Sequence, residues 1–326
     1  MRAILSAEVG GPDSLELREI ERPEPKRDEV LVRVKVAALN FFDCLIIEDK
    51  YQIKPPRPFP IAAEMAGVVE AVGEGVETLA KGDRVCGPVQ PGASQEYVAV
   101  PAAVLSQTPD GVSDEHAAAI TITYGTSYHA LKDRAGLREG ETCAVLGASG
   151  GVGQAAVELA KITGAKVIAC ASSQDKIDFA KSCGADSGIN YSEVDLKDAL
   201  KQETGGKGVD VIYDPVGGDL AEAAFRAIAW EGRYLVIGFA AGPIPKLPLN
   251  LPLLKGADIR GVFWGAFTRA DPQTNRGNVE QLLAWLADGT LKPHVDSVFA
   301  LEEAANALKK IASRDVKGKV LLRISD

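Results

Sequence analysis

One segment in the middle of the chain constrains the fold more than any other. It begins with the apolar run Thr142–Leu146, which is typical of a buried strand, and passes through small residues into 154–162, where alanine and leucine recur at helical spacing. A second apolar run follows at 166–171. The pattern predicts a strand, a tight turn, a helix and a second strand, which is the repeating unit of a parallel sheet.

The turn itself matches a weak form of the dinucleotide-binding pattern. It reads A-x-G-x-x-G, with alanine in place of the first glycine. Glycines allow the backbone to approach a pyrophosphate, and the N-terminus of the following helix offers unpaired N–H groups to the anion. Six residues are therefore predicted to contact a dinucleotide: Ala148, Ser149, Gly150, Gly151, Val152 and Gly153. The alternative is a glycine turn that only packs a helix on a sheet.

Composition narrows the class of protein. The chain has 326 residues, of which 46% are hydrophobic and 25% charged, enough for two domains of about 150 residues each. A net charge of −9 argues against a nucleic-acid or acidic-membrane partner. No apolar run approaches the roughly 18 residues of a membrane-spanning helix. Five cysteines without a C-x-x-C pair favour a reducing, cytoplasmic location.

The chain changes character along its length. Residues 1 to about 120 read as many short strands, whereas β and α segments alternate afterwards, which predicts a parallel sheet with helices on both faces. The pattern also predicts two helices over 114–122 and 127–134, a late strand over 259–264, helices over 278–289 and 302–311, and a last strand over 318–324.

Three segments together resemble the medium-chain dehydrogenase/reductase superfamily: Ala38–Asp43, Ala148–Gly153 and Gly318–Leu322. They look most similar to its zinc-independent NADPH:quinone oxidoreductase (zeta-crystallin-like) branch, and the resemblance covers essentially the whole chain. It implies an α/β fold with a doubly wound Rossmann domain at 122–262 and a β-rich, GroES-like barrel domain made of 1–121 and 263–326. It also implies a cofactor in the cleft between the domains, and a homodimer joined near 259–264.

The sequence departs from the zinc-dependent relatives. Those relatives place Cys where Asn40 stands and His where Ala63 stands, and neither residue here is an ordinary zinc ligand. A catalytic zinc needs three protein ligands. The three histidines, His116, His129 and His294, are far apart and are expected to be structural or solvated. We therefore predict no metal.

The residues after the second strand of the unit bear on the cofactor. NAD sites of this type usually carry Asp or Glu about 20 residues after the glycines, to bind the ribose 2′-hydroxyl. Here Ser172 and Ser173 stand there, with Lys176 close by, so donors replace the carboxylate and NADP(H) is predicted. Asp175, one residue away, would partly offset the charge of Lys176. The alternative for Lys176 is a solvated lysine on a helix face. Tyr191 resembles a tyrosine that flanks the adenosine phosphate in similar reductases.

Other candidates rest on the resemblance. Thr126 resembles a threonine at the nicotinamide end of relatives, and Phe239 and the run Phe263-Trp264-Gly265 match segments that line the nicotinamide. The alternative for these aromatic residues is plain core packing.

Three residues are candidates for the chemistry. Asn40 can hydrogen-bond a carbonyl or the ribose as donor and acceptor. Tyr51 lies eight residues after Asp43, a spacing that looks like the tyrosine of enoyl-thioester reductases, and it either delivers a proton or covers the site as a lid. Asp43 either organises the loop around Asn40 or acts as an acid.

These features predict an NADPH-dependent, zinc-independent reductase that transfers hydride to a small-molecule quinone or activated alkene. One alternative is an enoyl-thioester or enone reductase with Tyr51 catalytic. Another, from a different class, is an NADPH-binding structural or regulatory protein with little turnover.

Overall fold

The computed structural model describes residues 1–325, which divide into two compact units. Unit 1 joins Met1–Ile122 to the part of the chain that begins at Val279, and unit 2 is Thr123–Asn278. The sequence places the return to the first domain at residue 263, but 263–278 belongs with unit 2 by its contacts. The indole of Trp264 lies against Gly125, where a Cβ would come within 3.0 Å of the ring.

The N-terminal part of the chain is β-rich, as predicted. Its elements in order are β1 (Arg2–Ser6), β2 (Leu15–Glu19), β3 (Glu29–Leu39), α1 (Phe41–Ile47), β4 (Phe59–Pro60), β5 (Glu64–Val72), β6 (Arg84–Pro88), β7 (Tyr97–Pro101), β8 (Ser106–Gln107) and α2 (Asp114–Tyr128).

Unit 2 alternates strand and helix. Its elements continue with β9 (Thr142–Leu146), α3 (Gly151–Ile162), β10 (Lys166–Ala171), α4 (Gln174–Ser182), β11 (Ser187–Asn190), α5 (Leu196–Glu203), β12 (Val209–Asp214), α6 (Asp219–Arg226), β13 (Ile228–Val236), α7 (Asn250–Lys255), β14 (Asp258–Gly261), α8 (Trp264–Ala270) and α9 (Pro272–Ala287). The chain ends with β15 (Val295–Ala300), α10 (Ala304–Ala312) and β16 (Lys319–Arg323).

Two sheets build unit 1. A small sheet has the order β2-β1-β4, and a larger one has the order β15-β16-β3-β5-β6-β8, with β7 also paired to β3. The long strand β3 holds the larger sheet together because it pairs antiparallel with β16, β5 and β7. Its inward residues Val30, Val32 and Val34 are fully buried and pack in the core of the unit.

One six-stranded parallel sheet forms the centre of unit 2, with the order β11-β10-β9-β12-β13-β14. The order starts at β9, proceeds outward to β11, then returns and proceeds to β14 on the other side, which is the doubly wound arrangement that the family resemblance implies. Strand β9 is at the centre, and Cys143–Leu146 are completely buried, as expected for a strand covered on both faces by helices.

Several predicted boundaries are wrong. The helices predicted over 114–122 and 127–134 are one helix, α2, followed directly by π-helical turns over His129–Ala135. The strand predicted over 259–264 ends at Gly261. Phe263 then precedes α8, so Trp264 and Gly265 lie in a helix. The helix predicted from 278 already begins at Pro272. Among residues 1–325, no helix combines the length and apolar character that crossing a membrane requires.

Candidate functional site

The predicted cofactor residues of unit 2 follow the carboxyl ends of its parallel strands. Ala148 follows β9, Ser172 follows β10, Tyr191 follows β11, Phe239 follows β13 and Phe263 follows β14. Because all these strands are parallel, the fold brings the five segments to one edge of the sheet. In open parallel sheets, ligands bind outside this edge, near the strand at which the order reverses. Here that strand is β9.

The turn after β9 needs one glycine for its backbone. Gly147 has φ +60°, in the left-handed region that favours glycine, and a Cβ there would lie 2.9 Å from Cγ2 of Val216. The tight turn is therefore made one residue before the first position of the A-x-G-x-x-G match. Ala148 is fully buried and Ser149 is 6% exposed, so both pack inward. This explains why alanine is accepted at position 148.

The two remaining glycines of the match have different roles. A Cβ on Gly153 would lie 2.1 Å from the carbonyl oxygen of Gly147 and 2.9 Å from Cα of Ala148, so this glycine lets α3 pack against the turn. Gly150 has an ordinary backbone (φ −75°, ψ 170°), and its Cβ would meet only the Gly147 oxygen, at 3.7 Å. Neither backbone nor packing requires a glycine at 150. It leaves room for a ligand at the N-terminus of α3.

The first turn of α3 has the backbone arrangement that binds anions in other proteins. Gly150 is the N-cap, Gly151 is the first helical residue, and the Gln154 N–H is the one that closes onto the Gly150 carbonyl, at 2.7 Å. The amides of the first turn have no carbonyl one turn earlier in the helix, and they carry the positive end of the helix dipole. A pyrophosphate would accept hydrogen bonds from these amides, and its negative charge would interact favourably with the helix dipole.

A buried network that the sequence reasoning missed supports this turn from unit 2. The hydroxyl of Ser127 donates to the carbonyl of Val152 at 3.0 Å and lies 2.8 Å from the hydroxyl of Tyr213. Both side chains are completely buried, and burial raises the pKa of the Tyr213 phenol. The network attaches α2 and β12 to the first turn of α3. The available signal in the sequence was a polar side chain in each of two mainly apolar segments, Ser127 in α2 and Tyr213 in β12.

The predicted 2′-phosphate residues lie together after β10. The ammonium of Lys176 is 3.4 Å from the Ser172 hydroxyl, and the Ser173 hydroxyl oxygen caps α4 by accepting the Lys176 N–H, also at 3.4 Å. The backbone N–H of Tyr191 donates to the carbonyl of Ala171 at 3.1 Å, which brings the start of the next loop alongside. Ser192, which the sequence reasoning missed, donates from its hydroxyl to the Ser172 carbonyl at 3.1 Å.

The aromatic candidates differ in exposure. Phe263 is 50% exposed, whereas Trp264 is 9% exposed and packs on Gly125, next to Thr126 in α2. Trp264 is thus a packing residue of unit 2, and Gly265 follows it within α8. Phe239 is half-buried and its ring would meet a Cβ on Gly217 at 3.0 Å.

A second missed group is the carboxylate at the end of β12. Asp214 Oδ1 accepts the backbone N–H groups of Val216 at 2.7 Å and Gly217 at 2.8 Å, and Oδ2 accepts the hydroxyl of Tyr234. Burial raises the pKa of Asp214 above its ordinary value. The loop after β13 is attached here too, because the N–H of Ala240 donates to the Pro215 carbonyl at 3.0 Å. Asp214 therefore shapes the loops at the carboxyl edge.

In unit 1, Asn40 and Asp43 are brought together at the start of α1. Asn40 is the N-cap, and Asp43 Oδ2 accepts its backbone N–H at 2.6 Å. Asp43 is 3% exposed, and burial raises its pKa to about 7, against the lowering effects of the Asn40 N–H and Lys319. This geometry shows Asp43 organising the turn around Asn40.

The side chain of Asn40 is held by two charged residues that were given no role in the sequence reasoning. Its Oδ1 accepts from Nζ of Lys319 at 2.7 Å, and its Nδ2 donates to Oε1 of Glu64 at 3.0 Å. Lys319 and Glu64 themselves form an ion pair at 2.7 Å. Their signal in the sequence was a charged residue at the first position of each of two mainly apolar strands.

Tyr51 lies at the surface of the unit 1 core. It is half-buried and its ring stacks on Phe42, with centroids 5.4 Å apart and an interplanar angle of 23°. Burial, and secondly the carboxylate of Asp43, raise the pKa of the phenol. At neutral pH the hydroxyl therefore keeps its proton and can donate it or a hydrogen bond.

Possible metal ligands are dispersed. Within residues 1–325, no three or more His, Cys, Asp or Glu side chains are grouped so that they could hold a metal ion. His129 is used in packing: its ring stacks on Phe267 with centroids 3.8 Å apart, and its Nδ1 lies 2.9 Å from Asp133.

Two family models match the chain. One, described as an alcohol dehydrogenase GroES-like domain, matches residues 26–110, and the other, described as zinc-binding dehydrogenase, matches residues 151–288. Among curated proteins, quinone oxidoreductase-like protein 2 of Rattus norvegicus is 38% identical over 324 residues, which cover 99% of this chain and 92% of the relative.

Solved structures with the same fold span the full length of the chain. Escherichia coli quinone oxidoreductase, complexed with NADPH, superposes with a TM-score of 0.93 at 29% identity, covering 99% of this chain and 100% of its own. A structure described as an NAD-dependent alcohol dehydrogenase gives a TM-score of 0.92 at 34% identity, covering 100% of both chains. Both cofactors thus occur among proteins of this similarity.

Proposed function

Because the chain belongs to the medium-chain dehydrogenase/reductase superfamily, in its quinone oxidoreductase-like branch, we propose that it is an NADPH-dependent, zinc-independent reductase of quinones or activated alkenes. The observation that carries the proposal is the cluster after β10, where Ser172, Ser173 and Lys176 offer donors and a positive charge at the place where NAD sites carry a carboxylate.

The residues at the carboxyl edge fit a dinucleotide. The space beside Gly150 and the first-turn amides of α3 would hold the pyrophosphate, and the cluster of Ser172, Ser173, Lys176 and Tyr191 would hold the 2′-phosphate. Bound NADPH would supply a hydride from C4 of its nicotinamide. The relative solved with NADPH supports this choice of cofactor.

The chemistry of unit 1 does not fit a catalytic zinc. Ala63 has no donor atom, and the oxygen of Asn40 already accepts from the ammonium of Lys319, 2.7 Å away. A divalent cation at this position would be repelled by that ammonium. The nearby thiol of Cys86 is buried, which raises its pKa to about 11 and opposes the thiolate that zinc binds. Without a Lewis acid, the acceptor has to be electron-poor, as quinones and enones are.

The reduction is balanced without a protein redox group. The acceptor takes one hydride, which carries two electrons, and its oxygen or α-carbon takes one proton to complete the hydroquinone or the saturated ketone. In the first case water can supply that proton. Asn40 would donate a hydrogen bond to the acceptor oxygen as negative charge develops on it.

A second candidate, reduction of an enoyl thioester or other enone with Tyr51 as proton donor, is favoured by one observation. The half-buried ring of Tyr51 stacks on Phe42, two residues after Asn40, so a phenol that is protonated at neutral pH lies in the same part of unit 1 as Asn40. It would then protonate the α-carbon of the enolate that hydride addition creates.

We also propose a homodimer joined at the outer edge of β14. This strand ends the parallel sheet, so no further strand pairs with its outer edge within the part of the chain that the structure describes. Exposed apolar side chains lie on β14, just after it, on its neighbour β13 and on α7: Ile259, Phe263, Trp230, Leu253 and Leu254. The cytoplasm is proposed as its compartment because all five cysteines are free thiols.

The proposal is tested by comparing NADPH with NADH as reductant for an ortho-quinone, a simple enone and a crotonyl thioester. NADPH-preferring reduction of the quinone supports it, and dominance of the thioester favours the second candidate. Tight NADPH binding without turnover of any acceptor would contradict it and would support a structural or regulatory protein.

A further inference from the structure

Lys319 and Glu64 form a buried ion pair beside the side chain of Asn40. Lys319 is 3% exposed and Glu64 is completely buried, with Nζ and Oε1 2.7 Å apart. Removing two charges from water is unfavourable, and such a pair is often no more stabilising than apolar residues of the same size. Stability alone therefore does not account for it.

Every hydrogen of the Lys319 ammonium has an acceptor. It donates to the carbonyl of Leu39 at 2.9 Å, to Oδ1 of Asn40 at 2.7 Å and to Oε1 of Glu64 at 2.7 Å. Glu64 Oε1 also accepts from Nδ2 of Asn40 at 3.0 Å, and its Oε2 accepts the backbone N–H of Ile122 at 2.7 Å. The Asn40 carboxamide is thus held at both its oxygen and its nitrogen.

The two charges also determine which way the carboxamide points. If it were rotated by about 180°, its NH₂ group would face the Lys319 ammonium and its oxygen would face the Glu64 carboxylate, two repulsive arrangements. The oxygen is therefore engaged by a cation. One hydrogen of Nδ2 goes to Glu64, and no other residue in 1–325 is seen to accept the second one.

We propose that Lys319 and Glu64 are positioning residues, which orient Asn40 so that its second Nδ2 hydrogen is donated to the substrate carbonyl oxygen that gains negative charge. The inference rests on the proposed reductase function. The oxygen of Asn40 faces Lys319, so in this inference the carboxamide acts on the substrate as a donor, which is one of the two roles that the sequence allows it. A fixed donor at such an oxygen acts without reorganisation during the reaction.

The test removes both charges together, so that neither is left buried alone. In Lys319→Met/Glu64→Gln, the Ile122 N–H retains the Gln oxygen, which leaves the Gln NH₂ group facing Asn40. The carboxamide then favours the opposite orientation. We expect kcat for a para-quinone to fall at least 10-fold, while the Kd for NADPH, measured by fluorescence titration, stays within 2-fold of the wild type.

The decisive comparison repeats the change in an Asn40→Ala background. Asn40→Ala itself should lower kcat by about 100-fold, in the range found for loss of one such donor. If the pair acts through Asn40, adding Lys319→Met/Glu64→Gln to it should lower kcat by less than 2-fold more. The matched control is Lys81→Met/Glu70→Gln, which removes a more exposed ion pair of unit 1 whose charged atoms are 3.6 Å apart. It should leave kcat unchanged both in the wild-type background and in the Asn40→Ala background.

Thermal unfolding and circular dichroism identify the variants that fold. Should the double variant not fold, Glu64→Gln alone serves the same comparison, since its NH₂ group opposes Nδ2 of Asn40 while Lys319 remains. Equal losses of kcat in both backgrounds, an unchanged kcat, or a loss confined to NADPH affinity would each overturn the inference. A wild type that reduces no acceptor removes the proposed function as well, whereas a working wild type with additive losses removes the inference alone.

Discussion

The glycines of the turn after β9 make a prediction that separates folding from ligand binding. Gly150→Ala adds a methyl group that meets one atom, the Gly147 carbonyl oxygen, at 3.7 Å, and the φ of −75° suits alanine. Loss of chain entropy in the unfolded state favours alanine, whereas the N-cap position disfavours it. The free energy of unfolding should therefore change by less than about 1 kcal/mol.

The same methyl group would occupy the space proposed for the pyrophosphate. We expect the Kd for NADPH to rise at least 10-fold, about 1.4 kcal/mol of binding free energy. At a concentration of 100 times the wild-type Kd, NADPH should stabilise the wild type by about 2.7 kcal/mol and Gly150→Ala by about 1.4 kcal/mol or less. Fluorescence titration gives the two Kd values, and thermal unfolding with and without NADPH gives the two stabilisations.

Gly153→Ala is the matched comparison. Its Cβ would lie 2.1 Å from the Gly147 carbonyl oxygen, so α3 has to shift. We expect a destabilisation of about 2–4 kcal/mol without ligand, and a fall in Tm of roughly 5–15 °C. If Gly150→Ala binds NADPH like the wild type, or unfolds like Gly153→Ala, the glycine at 150 serves the fold and not the cofactor.

Three further predictions concern single side chains. Lys176→Ala should raise the KM for NADPH about 10-fold through loss of a charge-assisted contact, with little effect on the KM for NADH; equal effects in initial-rate assays would exclude the 2′-phosphate role. Tyr51→Phe should lower kcat for an enone at least 10-fold, if the phenol supplies the proton; an unchanged kcat would make Tyr51 a packing residue. Asp43 has its pKa raised from 3.8 to about 7, so the native carboxyl holds a proton that the unfolded one loses. The free energy of unfolding should therefore fall by about 3 kcal/mol as pH rises from about 4 to 7. Asp43→Asn keeps an oxygen that can accept the Asn40 N–H, and its stability, measured by urea unfolding, should lack this dependence on pH. An identical pH dependence in both proteins would contradict the raised pKa.

The parts of the fold that local sequence specifies were predicted correctly. The unit β9-α3-β10 was predicted because an apolar strand, a glycine turn and apolar residues at helical spacing follow one another within about 30 residues. The parallel sheet with helices on both faces followed from the alternation of strands and helices. The predicted cofactor segments then had to meet at one edge, since each follows a parallel strand.

The strand predicted over 259–264 shows where local pattern fails. Aromatic and β-branched residues at 262–264 favour a strand, but the chain turns at Phe263 and α8 begins. Both Trp264 and Phe267 of α8 make tertiary contacts: Trp264 packs on Gly125 of α2, and Phe267 stacks on His129. These tertiary contacts outweigh the local preference, and no spacing within the segment reveals them.

The support of Asn40 was missed for a different reason. Lys319 lies 279 residues away in sequence and reaches Asn40 only because β16 pairs with β3, with Val320 opposite Leu39. Glu64 comes from the other neighbour of β3, opposite Ala38. The alignment of the three strands β16, β3 and β5 depends on residues far apart in sequence, so local patterns do not reveal it. The role of a buried charge within an apolar run becomes clear only when its partner is known.

The central claim is most directly tested by initial rates of NADPH and NADH oxidation by a para-quinone, each measured with and without a metal chelator. The account predicts quinone reduction that prefers NADPH and is unaffected by the chelator. Preference for NADH, or activity that the chelator abolishes, would contradict it.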